Sequence, residues 1–237
     1  MLRRAMSARE AHESNDRGRT FSHAAARRFY DRFGSLQDTQ MFYEKAPFAR
    51  LVSRMEFGAA HAVFEFGCGT GRFAADLLER YLPPDARYAG VDVSATMVRL
   101  TKKRLERFGT RAEMRLSDGA PRLDFPDASF DRFVSTYVLD ILSPADVRAV
   151  LGEAHRVLVR GGHIGLISLT RGERGFARLL TSAWGRLCAL SPTLVGGCRP
   201  INLTPYVESP DWTVEHDEIV TSFGVPSQIV IARANRS

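Results

Sequence analysis

The chain has 237 residues, of which 44% are hydrophobic and 25% charged, a balance typical of a folded globular domain that excludes a disordered or fibrous chain. The formal net charge is +6, but lysine occurs only at positions 45, 102 and 103, so the arginine excess indicates a compositional bias rather than a nucleic-acid-binding surface. The three cysteines, at positions 68, 188 and 198, have neither disulfide nor metal spacing, which predicts free thiols, a reducing compartment and no metal site.

The first 60 residues predict an arm followed by helices. Residues 1–19 are polar without apolar periodicity, which predicts a mobile arm. Residues 1–34 hold eight arginines and four acids, a local excess of 8 − 4 = +4 that suits an anionic membrane surface, an acidic substrate or simply water. An apolar stripe beginning near Thr20 predicts one helix, and Phe48–Glu56 predicts another. No secretory signal is evident, and the most apolar stretch, Leu179–Gly197, is interrupted by arginine and proline, so a cytoplasmic protein is expected.

A glycine-rich loop follows the first predicted strand, Ala62–Phe66. Glycines at 67, 69 and 71 allow a tight turn, and the helix that follows to about Arg80 offers unpaired N–H groups at its start. The dinucleotide pattern Gly-x-Gly-x-x-Gly fails at Arg72, and the ending of a P-loop is absent. The remaining alternatives are a structural turn and a Glu-x-Gly-x-Gly-x-Gly loop, and the latter resembles motif I of class I methyltransferases that use S-adenosylmethionine (SAM).

The second predicted strand, near Tyr88–Val93, ends in an acid. Asp92 stands 21 residues after Gly71, where a carboxylate can accept both ribose hydroxyls of an adenosine, in NAD as well as in SAM. The alternative role for Asp92 is the N-cap of the helix that begins near Ser94. A third strand over Arg111–Ser117 then leads into a turn at Asp118–Ala120.

The next segment continues the alternation of strands and helices. Residues Phe125–Asp131 form a predicted loop, and their sequence resembles that of the ubiquinone- and menaquinone-type methyltransferases. A fourth strand is predicted over Arg132–Thr136. Ser143 and Pro144 begin a helix that runs to about Leu158. A turn at residues 160–162 precedes the fifth strand, His163–Thr170.

The C-terminal part contains the least predictable stretch. Within residues 171–211, apolar side chains from Phe176 to Leu187 recur at helical spacing, which fits a core helix or a cap over a substrate pocket. Two further strands, Trp212–Thr221 and Gln228–Ala232, form a predicted hairpin joined by residues 222–227. The sequence of this hairpin resembles that of the closing strands in the same family, which includes the bacterial phospholipid N-methyltransferases.

The resemblance to class I SAM methyltransferases covers roughly residues 20–233. Alternation over residues 61–170 predicts a doubly wound, parallel sheet. The family implies a seven-stranded, mostly parallel sheet with an antiparallel closing hairpin. The resemblance divides the chain into an arm at 1–19, a helical lid at 20–60 and a SAM-binding domain at 61–237 with a cap insertion at 171–211.

The resemblance also implies a set of site residues. The methionine end of SAM would lie against Glu65, Gly67, Cys68, Gly69, Thr70, Gly71 and Ser135. The ribose and adenine would lie against Asp92, Val93, Met97, Asp118, Gly119 and Ala120. The methyl-transfer channel would be lined by Tyr30 and Tyr137, with Asp140 as a base or as an anchor for a cationic amine.

The sequence specifies the methyl acceptor less closely than the fold or the cofactor. A small or lipophilic acceptor is expected, with a phospholipid amine or a quinone-like ring favoured, S-adenosylhomocysteine as the product and no nucleic-acid partner. Peripheral contact with the inner membrane face is a further expectation. A thiol or another small molecule is the alternative acceptor. A SAM-binding regulatory protein without catalysis and an NAD(P)-dependent reductase are the alternatives of another class.

Overall fold

A computed structural model describes residues 27, 28, 31, 41–171 and 199–235, without the side chains of residues 41 and 42. The predictions for the arm at 1–19, for Tyr30, for most of the lid and for the apolar segment of the cap lie outside the described residues. In the part of the chain described, no helix is long and apolar enough to cross a bilayer.

Seven strands form one sheet in the order β3-β2-β1-β4-β5-β7-β6. The first five strands are parallel to one another, and β7 runs antiparallel between β5 and β6. The strands are β1 (Ala62–Phe66), β2 (Arg87–Asp92), β3 (Ala112–Leu116), β4 (Phe130–Thr136), β5 (Leu158–Leu169), β6 (Trp212–Ser222) and β7 (Val225–Ala234). The predicted mostly parallel sheet with an antiparallel closing hairpin is therefore confirmed.

Helices connect β1 to β2, β2 to β3 and β4 to β5, whereas β3 is joined to β4 by the loop at residues 117–129. They are α1 (Met41–Arg54), α2 (Arg72–Asp76), α3 (Ala95–Leu105), α4 (Pro144–Val157) and the short α5 (Thr204–Val207). The predicted start of α4 is confirmed, because the hydroxyl of Ser143 accepts a hydrogen bond from the Asp146 N–H at 3.1 Å and Pro144 follows the cap.

The sheet separates two apolar layers. Adjacent residues of β1 face opposite layers, Val63 toward the side of α1 and α2 and Phe64 toward the side of α4. Helix α4 contributes a stripe of buried side chains: Val147, Val150, Leu151, Ala154 and Val157. This double cover explains why the inner strands are apolar on both faces.

Several predicted boundaries were wrong. The helix predicted over Phe48–Glu56 begins earlier, at Met41, because Pro47 is accommodated inside it. The helix predicted to reach Arg80 is α-helical only to Asp76 and continues as a π-helical turn, Leu77–Tyr81.

The last three strands are longer than their patterns predict. Residues 160–162 form an irregularity inside β5 rather than a turn before it, since Phe130 pairs with Leu158 while Arg132 pairs with His163. The hairpin between β6 and β7 has a two-residue turn, because Val225 and Ser222 still pair with each other.

Candidate functional site

The carboxyl ends of the five parallel strands meet at one edge of the sheet. The strand order reverses between β1 and β4, and ligands of open α/β sheets bind at such a switch point. The loop at residues 67–71 follows β1, Asp92 ends β2, residues 117–120 follow β3, and residues 137–143 follow β4. The topology thus brings the predicted site segments to the same edge.

The glycine loop adopts a backbone that only glycine accepts without strain. Gly67, Gly69 and Gly71 have φ values of +80°, +52° and +72°. A Cβ on Gly67 would lie 2.3 Å from Cγ2 of Val138, and one on Gly71 would lie 2.5 Å from Cγ2 of Thr101. The loop is therefore pressed between the segment after β4 on one side and helix α3 on the other.

Helix α3 contacts the glycine loop through two side chains that lie one turn apart and form hydrogen bonds with it. The Thr101 hydroxyl donates to the Gly69 carbonyl at 2.7 Å, and Nη1 of Arg104 donates to the carbonyl and the hydroxyl of Thr70 at 2.6 and 2.8 Å. The sequence reading missed both residues, although their spacing of three places them on one helix face. Three hydrogen bonds therefore join the loop to helix α3.

Asp92 joins the ends of β1 and β2. Its two carboxylate oxygens accept backbone N–H groups, one from Gly69 at 3.0 Å and the other from Ser94 at 2.9 Å. Burial raises the pKa of Asp92 to about 6, although both N–H groups lower it. Each oxygen keeps a second lone pair, so the carboxylate can still accept from two ribose hydroxyls. The N-cap of α3 is Ser94, so the alternative role of Asp92 as the cap itself is wrong.

An N-terminal residue reaches the same corner. The Ser94 hydroxyl donates to Oδ1 of Asp31 at 2.6 Å, and the Thr96 N–H donates to the same oxygen at 3.3 Å. This hydrogen bond from Ser94 is the main reason that the pKa of the Asp31 carboxyl is lowered. The residue directly after Tyr30 therefore lies beside the predicted ribose position.

The segment after β3 is open to solvent. Asp118 and Ala120 are exposed, and the Asp118 carboxylate accepts the Ala120 N–H at 2.8 Å. The Ser117 N–H donates to the Asp92 carbonyl at 2.8 Å, which places this turn next to the end of β2. Gly119 has a φ of +94°, a conformation that favours glycine.

Several predicted residues are buried and serve the scaffold as well. Glu65 accepts a hydrogen bond from the hydroxyl of Tyr88, and burial raises the pKa of the Glu65 carboxyl to about 7. The Ser135 hydroxyl is fully buried and donates to the Phe66 carbonyl at 3.1 Å. Burial likewise raises the pKa of the Cys68 thiol, and Met97 is 1% exposed. Their predicted contacts with SAM stay predictions.

Tyr137 is the first residue after strand β4. Its φ of +56° is uncommon for a bulky residue and indicates local strain. Its hydroxyl lies 2.9 Å from Oγ of Ser227, and its ring meets the rings of Tyr43 and Phe48 edge-on at 5.8 and 6.1 Å. Phe48 in turn stacks on Phe73 at 4.9 Å. An aromatic wall therefore stands beside the glycine loop.

Asp140 lies in the 3₁₀ turn Leu139–Ile141 and is fully buried. One carboxylate oxygen accepts the Leu169 N–H at 3.2 Å, whereas Oδ1 has no hydrogen-bond partner among the residues described. Burial raises the pKa of Asp140 to about 7, against smaller lowering effects that include the nearby Arg199. Arg199, distant in sequence, was also missed, because no local pattern connects it with residue 140.

The site fits SAM in three respects. The glycine loop makes a tight turn with three positive φ values, Asp92 presents a carboxylate at the end of β2, and aromatic rings stand beside the loop. Within residues 41–171 and 199–235, together with 27, 28 and 31, no group of three His, Cys, Asp or Glu side chains has the arrangement of a metal site.

Comparisons with known proteins agree with this geometry. Residues 63–162 match a family model described as "Methyltransferase domain". The demethylmenaquinone methyltransferase of Thermus thermophilus is 29% identical over 152 residues, which cover 57% of this chain and 67% of that enzyme. The tRNA N(3)-methylcytidine methyltransferase Mettl2 of Drosophila melanogaster is 25% identical over 147 residues, which cover 58% of this chain and 45% of that enzyme.

Solved structures share the fold. The N-methyltransferase NodS of Bradyrhizobium japonicum, in complex with S-adenosyl-L-homocysteine, is similar with a TM-score of 0.58 and 17% identity, over 81% of this chain and 88% of that chain. The chain spans between 45% and 67% of the length of the two curated relatives above. Residues 63–162 therefore match a methyltransferase domain, and the described fold is shared with a solved methyltransferase that binds S-adenosyl-L-homocysteine.

Proposed function

We propose that this SAM-dependent methyltransferase domain transfers the methyl group to a lipophilic acceptor, with a quinol-like ring favoured over a phospholipid amine. The observation that carries the proposal is Asp140, a fully buried carboxyl whose Oδ1 accepts no hydrogen bond within the described residues. It lies two residues after Val138, which touches the glycine loop. A carboxyl in such a place suits proton removal from an acceptor that enters an apolar pocket.

SAM supplies an activated methyl group, so the protein must align the acceptor, exclude water and take up a proton. Tyr137, Tyr43 and Phe48 offer aromatic faces and edges that would hold a flat ring and attract a cationic centre. Asp140 would take the proton of a ring hydroxyl or of an ammonium group. Because the pKa of Asp140 is raised to about 7 by burial, its basic form becomes available as the pH rises through that value.

The choice of a ring as acceptor draws on the relatives. The similar Thermus thermophilus enzyme is named for demethylmenaquinone, whereas the similar Drosophila melanogaster enzyme is named for a tRNA base. An apolar wall beside the glycine loop supports the lipophilic ring. A thiol or another small molecule is the runner-up acceptor, since a buried carboxyl can also deprotonate an S–H group.

The first experiment is methyl transfer from isotopically labelled SAM to three purified acceptor classes: a quinol with a short prenyl tail, a phosphatidylethanolamine and an alkyl thiol. We expect label in the quinol, and loss of that transfer in an Asp140→Asn variant that still binds SAM. Label in the lipid amine alone would replace the ring by the amine. Label in the thiol alone would overturn the lipophilic reading.

Binding measurements address the other classes of function. SAM binding by calorimetry without turnover on any acceptor would favour a regulatory SAM-binding protein. Tight binding of NADH without binding of SAM would instead indicate a reductase.

A further inference from the structure

Residues 199–203, called the 199–203 segment below, join the turn that carries Asp140 to the end of β5. The Arg199 N–H donates to the Asp140 carbonyl at 3.1 Å. The Ile201 N–H donates to the Leu169 carbonyl at 2.9 Å, and the Leu169 N–H donates to Oδ2 of Asp140 at 3.2 Å. These hydrogen bonds form a closed ring through the turn, the strand and the segment.

The other end of the 199–203 segment is attached to a buried glutamine on β7. Gln228 is 4% exposed, and its Oε1 accepts the Leu203 N–H at 2.8 Å. Its Nε2 donates to the Thr204 hydroxyl and to Oδ1 of Asp217, both at 2.8 Å. Ile201 and Leu203 are buried in the same apolar layer as α4. Packing and hydrogen bonds at both ends therefore determine where Arg199 lies.

Arg199 brings a positive charge into this buried region. The residue is 6% exposed, and its Nη2 donates to the Leu142 carbonyl at 2.7 Å. Its backbone and its guanidinium thus bind the Asp140 turn on both sides of Ile141. Burying a charge costs free energy, and attraction between a guanidinium and a nearby carboxylate reduces that cost for both groups. The arrangement therefore favours an ionised Asp140.

Few titratable groups face Asp140 among the residues described. Burial raises the pKa of Asp140 to about 7, while the Leu169 N–H and the charge of Arg199 lower it. Burial also raises the pKa of Tyr137, on which Asp140 and Glu44 of α1 act, so the Tyr137 hydroxyl stays neutral while Asp140 titrates. Residues 164–169 of β5 and 225–232 of β7 contain no titratable side chain. Arg199 is therefore the nearby charge that can oppose the effect of burial.

We propose that Arg199 is a positioning residue for Asp140: the 199–203 segment holds its guanidinium beside the carboxyl, so that Asp140 is ionised near neutral pH and can take up the proton of the acceptor at Oδ1. This deepens the proposed function and rests on it. Without the cation, a carboxyl buried to this extent would stay protonated to a higher pH, and less of the protein would carry an active base.

The test separates the charge of Arg199 from its hydrogen bond to Leu142. Arg199→Gln keeps an N–H donor and removes the charge, whereas Arg199→Lys keeps both a donor and the charge. Arg233→Gln is the matched control, because Arg233 pairs with Glu215 at 2.8 Å near the other end of β7. The ionisation of Asp140 is followed by NMR of isotope-labelled aspartate carboxyl carbons, and its signal is identified by its absence in Asp140→Asn.

We expect the Asp140 titration midpoint in Arg199→Gln to rise by about one pH unit, with the midpoint of the pH–kcat profile rising alongside it. At pH 7, kcat should fall about fivefold, while its plateau at high pH stays native because the base is still present. Arg199→Lys and Arg233→Gln should keep the native midpoint. Equal midpoints in Arg199→Gln and Arg199→Lys would overturn the proposal and leave Arg199 a structural role. Should Arg199→Gln not fold, Arg199→Met, which fills the space with an apolar chain, carries the same expectation.

The two proposals fail separately, because the carboxyl titration is measured without any acceptor. A raised midpoint in Arg199→Gln, together with native kcat in Asp140→Asn, would keep the positioning by Arg199 and remove Asp140 as the base. A native midpoint in Arg199→Gln, together with loss of kcat in Asp140→Asn, would keep the base and remove the role of Arg199. The Arg199 variants leave the glycine loop and Asp92 unchanged, so their affinity for SAM is expected to be native.

Discussion

The side of the site proposed for the cofactor and the side proposed for the acceptor are built by different means. On the cofactor side, glycines take the unusual backbone conformations, and the carboxylate of Asp92 has a backbone N–H on each oxygen. On the acceptor side, a tyrosine has a positive φ, and the buried Asp140 leaves one oxygen without a hydrogen bond among the described residues. The first arrangement has an unstrained backbone and a hydrogen-bonded carboxylate. The second retains a strained backbone position and a carboxyl oxygen without a hydrogen bond among the described residues, features that are common at catalytic sites.

The largest expected effect tests the acceptor side. Asp140→Asn should lower kcat by about 10²–10⁴-fold, because the base is lost, while the affinity for SAM stays unchanged. The rise of native activity with pH through about 7 should disappear as well. Single-turnover methyl transfer measured across pH checks this. An unaltered kcat would show that Asp140 has a structural role and is not the base.

The same substitution has an effect of opposite sign on stability. In the native protein the raised pKa keeps Asp140 protonated, whereas in the unfolded chain it ionises near its ordinary pKa of 3.8. Stability is therefore lost as the pH rises from about 4 to about 7, and Asp140→Asn does not share that loss. Urea unfolding should show the variant gaining at least about 1 kcal/mol on the native chain between pH 4 and pH 8. Equal pH slopes would contradict the burial of the carboxyl.

The second prediction tests the contact between the two sides. Gly67→Ala should destabilise the protein by about 2–3 kcal/mol, since the residue has positive φ and its Cβ would collide with Val138. Val138→Ala in the same chain should restore part of the loss. Gly58→Ala is the control, because a Cβ there meets nothing within 4 Å. Equal unfolding midpoints for the two glycine variants would contradict the close approach of the two loops.

The third prediction concerns the ribose site alone. Asp92→Ala should weaken SAM binding at least tenfold, or by at least about 1.4 kcal/mol, with kcat at saturating SAM little changed. Asp85→Ala, which removes an exposed acid near the other end of β2, is the matched control. Calorimetric titration measures both, and native affinity in a folded Asp92 variant would make the ribose assignment wrong.

The smallest expected effect is on the support of the loop. Arg104→Lys keeps the charge but loses the forked geometry, so the two hydrogen bonds to Thr70 should weaken and SAM affinity should fall about two- to fivefold. Arg107→Lys, one turn along and paired at the surface with Glu79 at 2.7 Å, should not change it. Identical effects of the two variants would show that the contact with Thr70 is dispensable.

The same division separates what the sequence predicts from what it does not. The glycine loop, Asp92 and the Ser143 cap belong to local patterns, because a tight turn or a helix end needs particular residues within a few positions. Thr101 and Arg104 act across about 30 residues, and the approach of Arg199 to Asp140 spans 59. Such pairs depend on how the helices and strands pack, which local propensity does not determine. The turn predicted at residues 160–162, before β5, was wrong for the same reason, because pairing with β4 extends the strand through these residues.

The position of β7 in the sheet determines when the domain can be completed. Only β7 lies between β5 and β6, so until residues 225–234 have been synthesised, β5 presents an open, apolar edge and β6 has no neighbour in the sheet. The glycine loop, Asp92 and the turn at residues 117–120, in contrast, all precede β4. In a nascent chain these segments are therefore present before the edge of β5 is covered, and that edge is open to aggregation until β7 pairs with it.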